Sequence, residues 1–142
     1  MRRIILVLVF FLILFSGQNL FADDSILGVW KTIDDDGKTA KSFVEIYARE
    51  GKIFGRIVKL LQDPPDQLCD KCKGDRKDKP VLGMEIITGL TKKGSAYSGG
   101  KILDPENGKT YDCKIWREGD ALKVRGYVAF FFRTQTWQLV QE

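Results

Sequence analysis

Three cysteines are the residues best equipped for chemistry in this chain: Cys69 and Cys72, spaced C-x-x-C, and Cys113 further along. A C-x-x-C pair supports a short disulfide, thiol exchange or half of a metal site. Zinc takes four ligands, usually with His or a second such pair. The chain has no His and only three Cys, so an Asp would have to complete the set. Exchange needs a thiolate held by nearby cations or a helix N-terminus. Lys71, Lys73 and Arg76 lie close, but Asp70 and Asp75 oppose them, and no strand-to-helix element adjoins the pair. A structural Cys69–Cys72 disulfide is the favoured reading, with an entropic contribution of about 1–2 kcal/mol for so short a loop. Cys113 reads as a small buried hydrophobe. A bridge from Cys113 to Cys69 or Cys72 is the competing arrangement.

The absence of His removes the commonest general base and metal ligand. No Ser-His-Asp or Cys-His site can be built from these residues. The run Asp34-Asp35-Asp36-Gly37 lacks the spaced ligands and terminal Glu of a calcium loop and reads as a solvated turn. Asp104 and Glu106 sit with Pro105 and Asn107-Gly108 as turn residues. No phosphate-cradling glycine loop is present. No catalytic residue, metal or cofactor is implied.

Aromatic side chains are the other candidates. Trp30 and Trp137, on the first and last expected strands, would meet where a barrel closes. Tyr111 and Tyr97 carry hydroxyls that seek partners when buried. Phe130-Phe131-Phe132 cannot all point inward on one strand, and exposed apolar clusters mark ligand or partner sites. Trp30, Tyr97, Tyr111, Phe130, Phe131 and Phe132 therefore form the candidate ligand-binding set.

Residues 1–22 have the layout of a secretory signal: Arg2 and Arg3, an unbroken apolar run over 4–15, then Ala22 as the cleavage point. The run falls short of the roughly 20 apolar residues of a spanning helix. No stable membrane span is expected after cleavage, and the mature protein is placed in the periplasm or outside the cell. Removing Arg2 and Arg3 from the chain's 23 basic residues leaves 21 against 19 acidic ones. The charges are interspersed, without the basic footprint of a nucleic-acid partner.

Residues 23–142 form one domain and read as eight strands: 28–32, 42–48, 53–60, 84–88, 96–103, 110–117, 121–128 and 134–140. Turn residues separate them, and no segment has helical period and length. Leu122, Val124 and Val128 alternate with Lys123, Arg125 and Tyr127, the pattern of a half-buried strand. Residues 62–80, with Pro64, Pro65 and Gly74, cannot be a strand. Gly99-Gly100 marks a bulge or sharp bend. The fold class is all-β: a single antiparallel up-and-down barrel, with a two-sheet sandwich as alternative.

These residues carry a resemblance. Gly28-Val29-Trp30 looks like the Gly-x-Trp opening of lipocalin-like barrels. The fuller pattern is Cys69-x-x-Cys72, then Gly99-Gly100-x-Ile102-Leu103-Asp104-Pro105-x-Asn107-Gly108-Lys109-Thr110-Tyr111-x-Cys113-Lys114, then Val124-Arg125-Gly126-Tyr127 and Arg133-Thr134-Gln135-Thr136-Trp137. Together it resembles the bacterial exported family known as domain of unknown function 2147. The resemblance implies a lipocalin-like or calycin-like barrel and supplies no activity or catalytic residue. That family often has a basic residue two places after the last Trp; here it is Leu139. The expected function is non-enzymatic: binding a small apolar ligand in or at the mouth of the barrel. An envelope protein–protein scaffold and a thiol-disulfide protein using Cys69 and Cys72 are the alternatives. The sequence leaves the oligomeric state open.

Overall fold

The computed structural model describes residues 25–141, so the expected leader and its cleavage point at Ala22 lie outside the described residues. The strands are β1 (Gly28–Ile33), β2 (Ala40–Arg49), β3 (Lys52–Leu60), β4 (Glu85–Lys93), β5 (Ala96–Asp104), β6 (Lys109–Glu118), β7 (Ala121–Val128) and β8 (Phe131–Leu139). Each pairs antiparallel with the next, and β8 returns to β1 to close a barrel. Closure pairs every strand on both sides, which removes the open edges a free sheet would expose.

Alternation decides which side chains meet inside. Tyr97, Ile115, Val124 and Gln135 lie opposite one another across β5 to β8 and so share the inner face. Trp30, Val44, Ile46, Ile87, Leu90, Ile115 and Leu122 are fully buried. The register shifts between Ser98 and Gly100, so the paired glycines do mark a bulge. Gly100 is needed there because a Cβ would lie 2.1 Å from the Thr88 carbonyl oxygen.

The observed strands depart from the expected ones at two places. β4 runs on through Gly89, whose φ of 70° allows a bulge against β3, and ends at Lys93. β8 starts at Phe131 rather than at residue 134, leaving Ala129 and Phe130 as the turn. The long connection between β3 and β4 holds one short 3₁₀ turn, Gly74–Arg76, and an isolated bridge between Leu68 and Pro80.

Up-and-down order puts the β1–β2, β3–β4, β5–β6 and β7–β8 connections at one end. The other end is covered by the segment before β1. Ile26 is buried there, and its carbonyl accepts a 2.9 Å hydrogen bond from Trp30 Nε1. The Arg117 guanidinium lies 5.3 Å from the Trp30 ring centre. Arg117 also donates to the Ser25 carbonyl (2.5 Å) and the Gly119 carbonyl (2.6 Å). A cation from β6 thus covers Trp30, although Leu139 supplies none from β8.

Candidate functional site

The barrel holds a cavity of about 630 Å³ that opens at the end carrying the long connection. Its wall is apolar, built by Ile33, Ile57, Ile86, Leu103, Val124 and Trp137. These lining residues come from five different strands and from β8, so barrel closure brings them together. Thr32 and Ser42 are the buried polar residues of the lining, and each satisfies the other through a 2.9 Å hydroxyl–hydroxyl hydrogen bond. Gln135 accepts from Trp137 Nε1 at 2.9 Å and donates to Asp35 at 3.0 Å, linking wall to rim.

The rim is charged, with Asp34, Asp35, Asp63, Asp104 and Glu106 against Lys41, Lys109 and Arg133. Arg133 pairs with Asp35 at 2.5 Å, and Lys41 with Glu106 at 2.6 Å. The Glu106 hydrogen bond raises the Lys41 pKa against the opposing effect of burial. Asp36 stays outside this arrangement. It accepts from the Thr39 hydroxyl (2.5 Å) and from the Thr39 and Lys38 amides (2.8 Å each), which lower its pKa to about 2. Asp36 is therefore spent on closing the β1–β2 turn, while Asp34 and Asp35 face the rim.

Asp104 is raised above the usual carboxylate range, first by burial and then by the nearby Glu106, Asp34 and Asp35; a hydrogen bond from the Glu106 amide works the other way. The folded protein therefore holds the Asp104 proton more tightly than the unfolded chain. That preference supports the fold below the ordinary carboxylate pKa of about 4 and is lost as pH rises through the raised value. Asp104→Asn keeps the oxygen that accepts from Glu106. It should raise Tm by about 1–2 °C at neutral pH, a small effect because solvent screens a half-exposed group. Thermal unfolding at several pH values checks this: the gain should vanish below about pH 4, and a gain that persists there contradicts the assignment.

The six residues of the expected ligand set divide between the two ends. Tyr111, Phe131 and Phe132 line the cavity, and Tyr111 Oη accepts a 3.0 Å hydrogen bond from Asn107. Phe130 is 98% exposed at the tip of the β7–β8 turn and is not part of the lining. Trp30 and Tyr97 face inward but sit at the covered end, outside the lining. Trp30 is the third residue of β1, and Tyr97 the second of β5, and both strands start at that end. Their placement removes them from the cavity wall. Sequence reasoning missed Gln135, Arg133, Asp35 and Asp104 as rim residues. Nothing in their types distinguishes them from ordinary turn and surface residues.

Cys69 and Cys72 are joined by a disulfide with a Cα–Cα distance of 5.3 Å, and both are buried. Cys113 is a free, buried thiol, so the alternative bridge to it is not made. Burial pushes the Cys113 pKa up to about 12, which keeps it protonated at physiological pH. The disulfide loop packs on the β5–β6 turn. Cys69 Sγ lies 3.6 Å from the Pro105 carbonyl oxygen. A Cβ on Gly108 would lie 1.8 Å from the Lys71 carbonyl oxygen. The loop thereby props Pro105, Glu106 and Asn107, all part of the cavity lining.

Among the described residues no helix is long and apolar enough to cross a membrane. Among solved structures, the chain is similar to protein HP1028 from the human pathogen Helicobacter pylori, described as belonging to the lipocalin family. Identity is 18%, with 84% of this chain and 85% of that chain covered and a TM-score of 0.73. The likeness is one of fold: an eight-stranded lipocalin-like barrel. No curated protein matches the chain. A family described as an uncharacterized protein conserved in bacteria matches residues 28–139, nearly the whole barrel. The chain belongs to that bacterial family, DUF2147.

Proposed function

We propose that this protein is an exported, non-enzymatic binding protein that holds a small, largely apolar molecule in the barrel cavity. The cavity itself carries the reading. Its volume of about 630 Å³ lies within the roughly 300–1,000 Å³ range of ligand sites, and its wall is apolar up to a charged rim. A ligand of that size would bury its apolar body against Ile57, Ile86, Val124 and Trp137. Its polar end would meet Tyr111, Gln135 and the rim charges. The leader-like residues 1–22 support export to the periplasm or beyond. The lipocalin-like fold supports ligand carriage by analogy. Thiol exchange has less support, because both half-cystines are buried and exchange needs a sulfur that an attacking thiolate can reach.

Gly126 offers the test. It lines the cavity in mid-β7, and the nearest atoms to a Cβ there would be Tyr111 side-chain atoms at 3.4 and 3.7 Å and Ile102 at 3.9 Å, ordinary contact distances. Gly126→Leu therefore places a bulky side chain into the cavity without a backbone clash. N-Phenyl-1-naphthylamine, a neutral apolar fluorophore, serves as probe. Wild type should bind it with enhanced emission. The variant, folded by circular dichroism, should bind it at least tenfold more weakly, about 1.4 kcal/mol. Equal binding by the two proteins, or none by wild type, removes this reading.

A further inference from the structure

We infer that the β7–β8 hairpin is a docking element for a lipid bilayer that carries anionic headgroups. Its tip is apolar and exposed: Val128, Phe130, Phe131 and Phe132 are 52%, 98%, 80% and 60% exposed. Side chains this large, clustered and exposed at one turn, mark an interaction surface. The charge behind the tip selects the partner. Residues 121–140 contain Lys123, Arg125 and Arg133 and no Asp or Glu. Arg133 is taken up by Asp35, which neutralises the nearest rim carboxylate. Arg125 and the Lys114 opposite it on β6 form no ion pair among the described residues.

Geometry arranges these groups by depth. Arg125 precedes Val128 by three residues, roughly 10 Å along a strand. Its guanidinium lies 4.4 Å from the Phe132 ring centre and 4.9 Å from that of Trp116. Lys114 lies 5.5 Å from the Trp116 ring centre. With the Phe130–Phe131 tip sunk to the headgroup–acyl boundary, this row of cations stands at headgroup level with aromatic rings between. That is the layering of interfacial anchors, in which buried apolar area and attraction to anionic lipid act together. A protein partner would be held by the Phe tip too. The carboxylate-free, cation-backed hairpin favours an anionic lipid surface. The tip lies at the cavity's open end, so docking would bring that opening to the bilayer. The inference rests on the exposed hairpin and stands whether or not the cavity holds a ligand.

Vesicle co-sedimentation tests it, using the purified protein with its mass checked so that residues 1–22 do not contribute. Wild type should sediment with phosphatidylcholine vesicles containing phosphatidylglycerol, and several-fold less with phosphatidylcholine alone or at high salt. Phe130→Ser with Phe131→Ser should weaken binding about tenfold. Lys114→Gln with Arg125→Gln should abolish the preference for phosphatidylglycerol. These side chains are exposed or only partly buried, and circular dichroism confirms that the barrel is kept. The inference is overturned by failure to sediment with phosphatidylglycerol vesicles, or by a Phe variant that binds like wild type. It is equally overturned if the Phe residues instead drive self-association, read by analytical ultracentrifugation.

Discussion

Trp30→Ala should lower the unfolding free energy by about 3–5 kcal/mol, the usual cost of truncating a buried Trp. The side chain has no exposed surface, and three interactions converge on it. Its indole N–H satisfies the Ile26 carbonyl, its ring lies beneath Arg117, and its body closes the end of the barrel away from the cavity. Alanine would leave a void, an orphaned carbonyl and a cation above empty space. Against a typical total of 5–15 kcal/mol, this is a large fraction of the stability. Urea unfolding measures it. Trp30→Phe should recover most of the loss and miss only the indole hydrogen bond, about 1–2 kcal/mol. Probe binding by the fraction that remains folded should be little changed, because Trp30 does not line the cavity. A cost below about 1 kcal/mol would show that the covered end is not held from this residue.

Gly108→Ala should be the most damaging exchange of a glycine for the cavity. Its φ of 70° is a left-handed conformation that costs an L-residue about 1–2 kcal/mol. Strain is the smaller part. The added methyl would lie 1.8 Å from the Lys71 oxygen and 2.4 Å from the Lys71 carbonyl carbon, both backbone atoms. The β5–β6 turn and the disulfide loop would have to separate. The expected loss is about 3–5 kcal/mol in total, with weakened probe binding as Pro105, Glu106 and Asn107 lose their support. Gly119→Ala is the control: its φ is 59°, yet nothing lies within 4 Å of the added Cβ. It should cost about 1 kcal/mol and leave binding intact. Equal losses from the two substitutions would assign the effect to backbone strain and dismiss the loop as a prop.

Alternation makes the barrel legible in the sequence. Leu122, Val124 and Val128 share one side of β7, and Tyr111, Cys113 and Ile115 one side of β6. Strands so patterned must close or stack to hide that side. Gly99-Gly100 announced its bulge because paired glycines have few other uses in a strand. The start of β8 was hidden, because three successive phenylalanines erase the two-residue period. The continuation of β4 was hidden behind Gly89, which reads locally as a stop.

The site was less legible for a geometric reason. Alternation separates inside from outside but does not rank inner residues along the barrel axis. Trp30, Tyr97 and Tyr111 are all aromatic and all on expected strands. Only the course of the segment around Ile26 shows which end is shut, and Ile26 stands in a stretch with no periodic signal. The rim was illegible for a different reason: Asp35 meets Arg133 from opposite ends of the chain, and no local pattern encodes such a pairing.

The seam between the first and last strands is the thinnest in the barrel. Among the described residues, only Trp30 with Leu139 and Lys31 with Gln138 are in register, extended by the Val140 amide donating to the Val29 carbonyl at 3.0 Å. Other neighbouring strands share longer ladders; β7 and β8 align eight consecutive residues. A cylinder whose backbone is fastened so briefly along one line is expected to breathe there, against the ties of Asp35 to Arg133 and Gln135. Such breathing would give an enclosed guest a lateral route out, independent of the mouth.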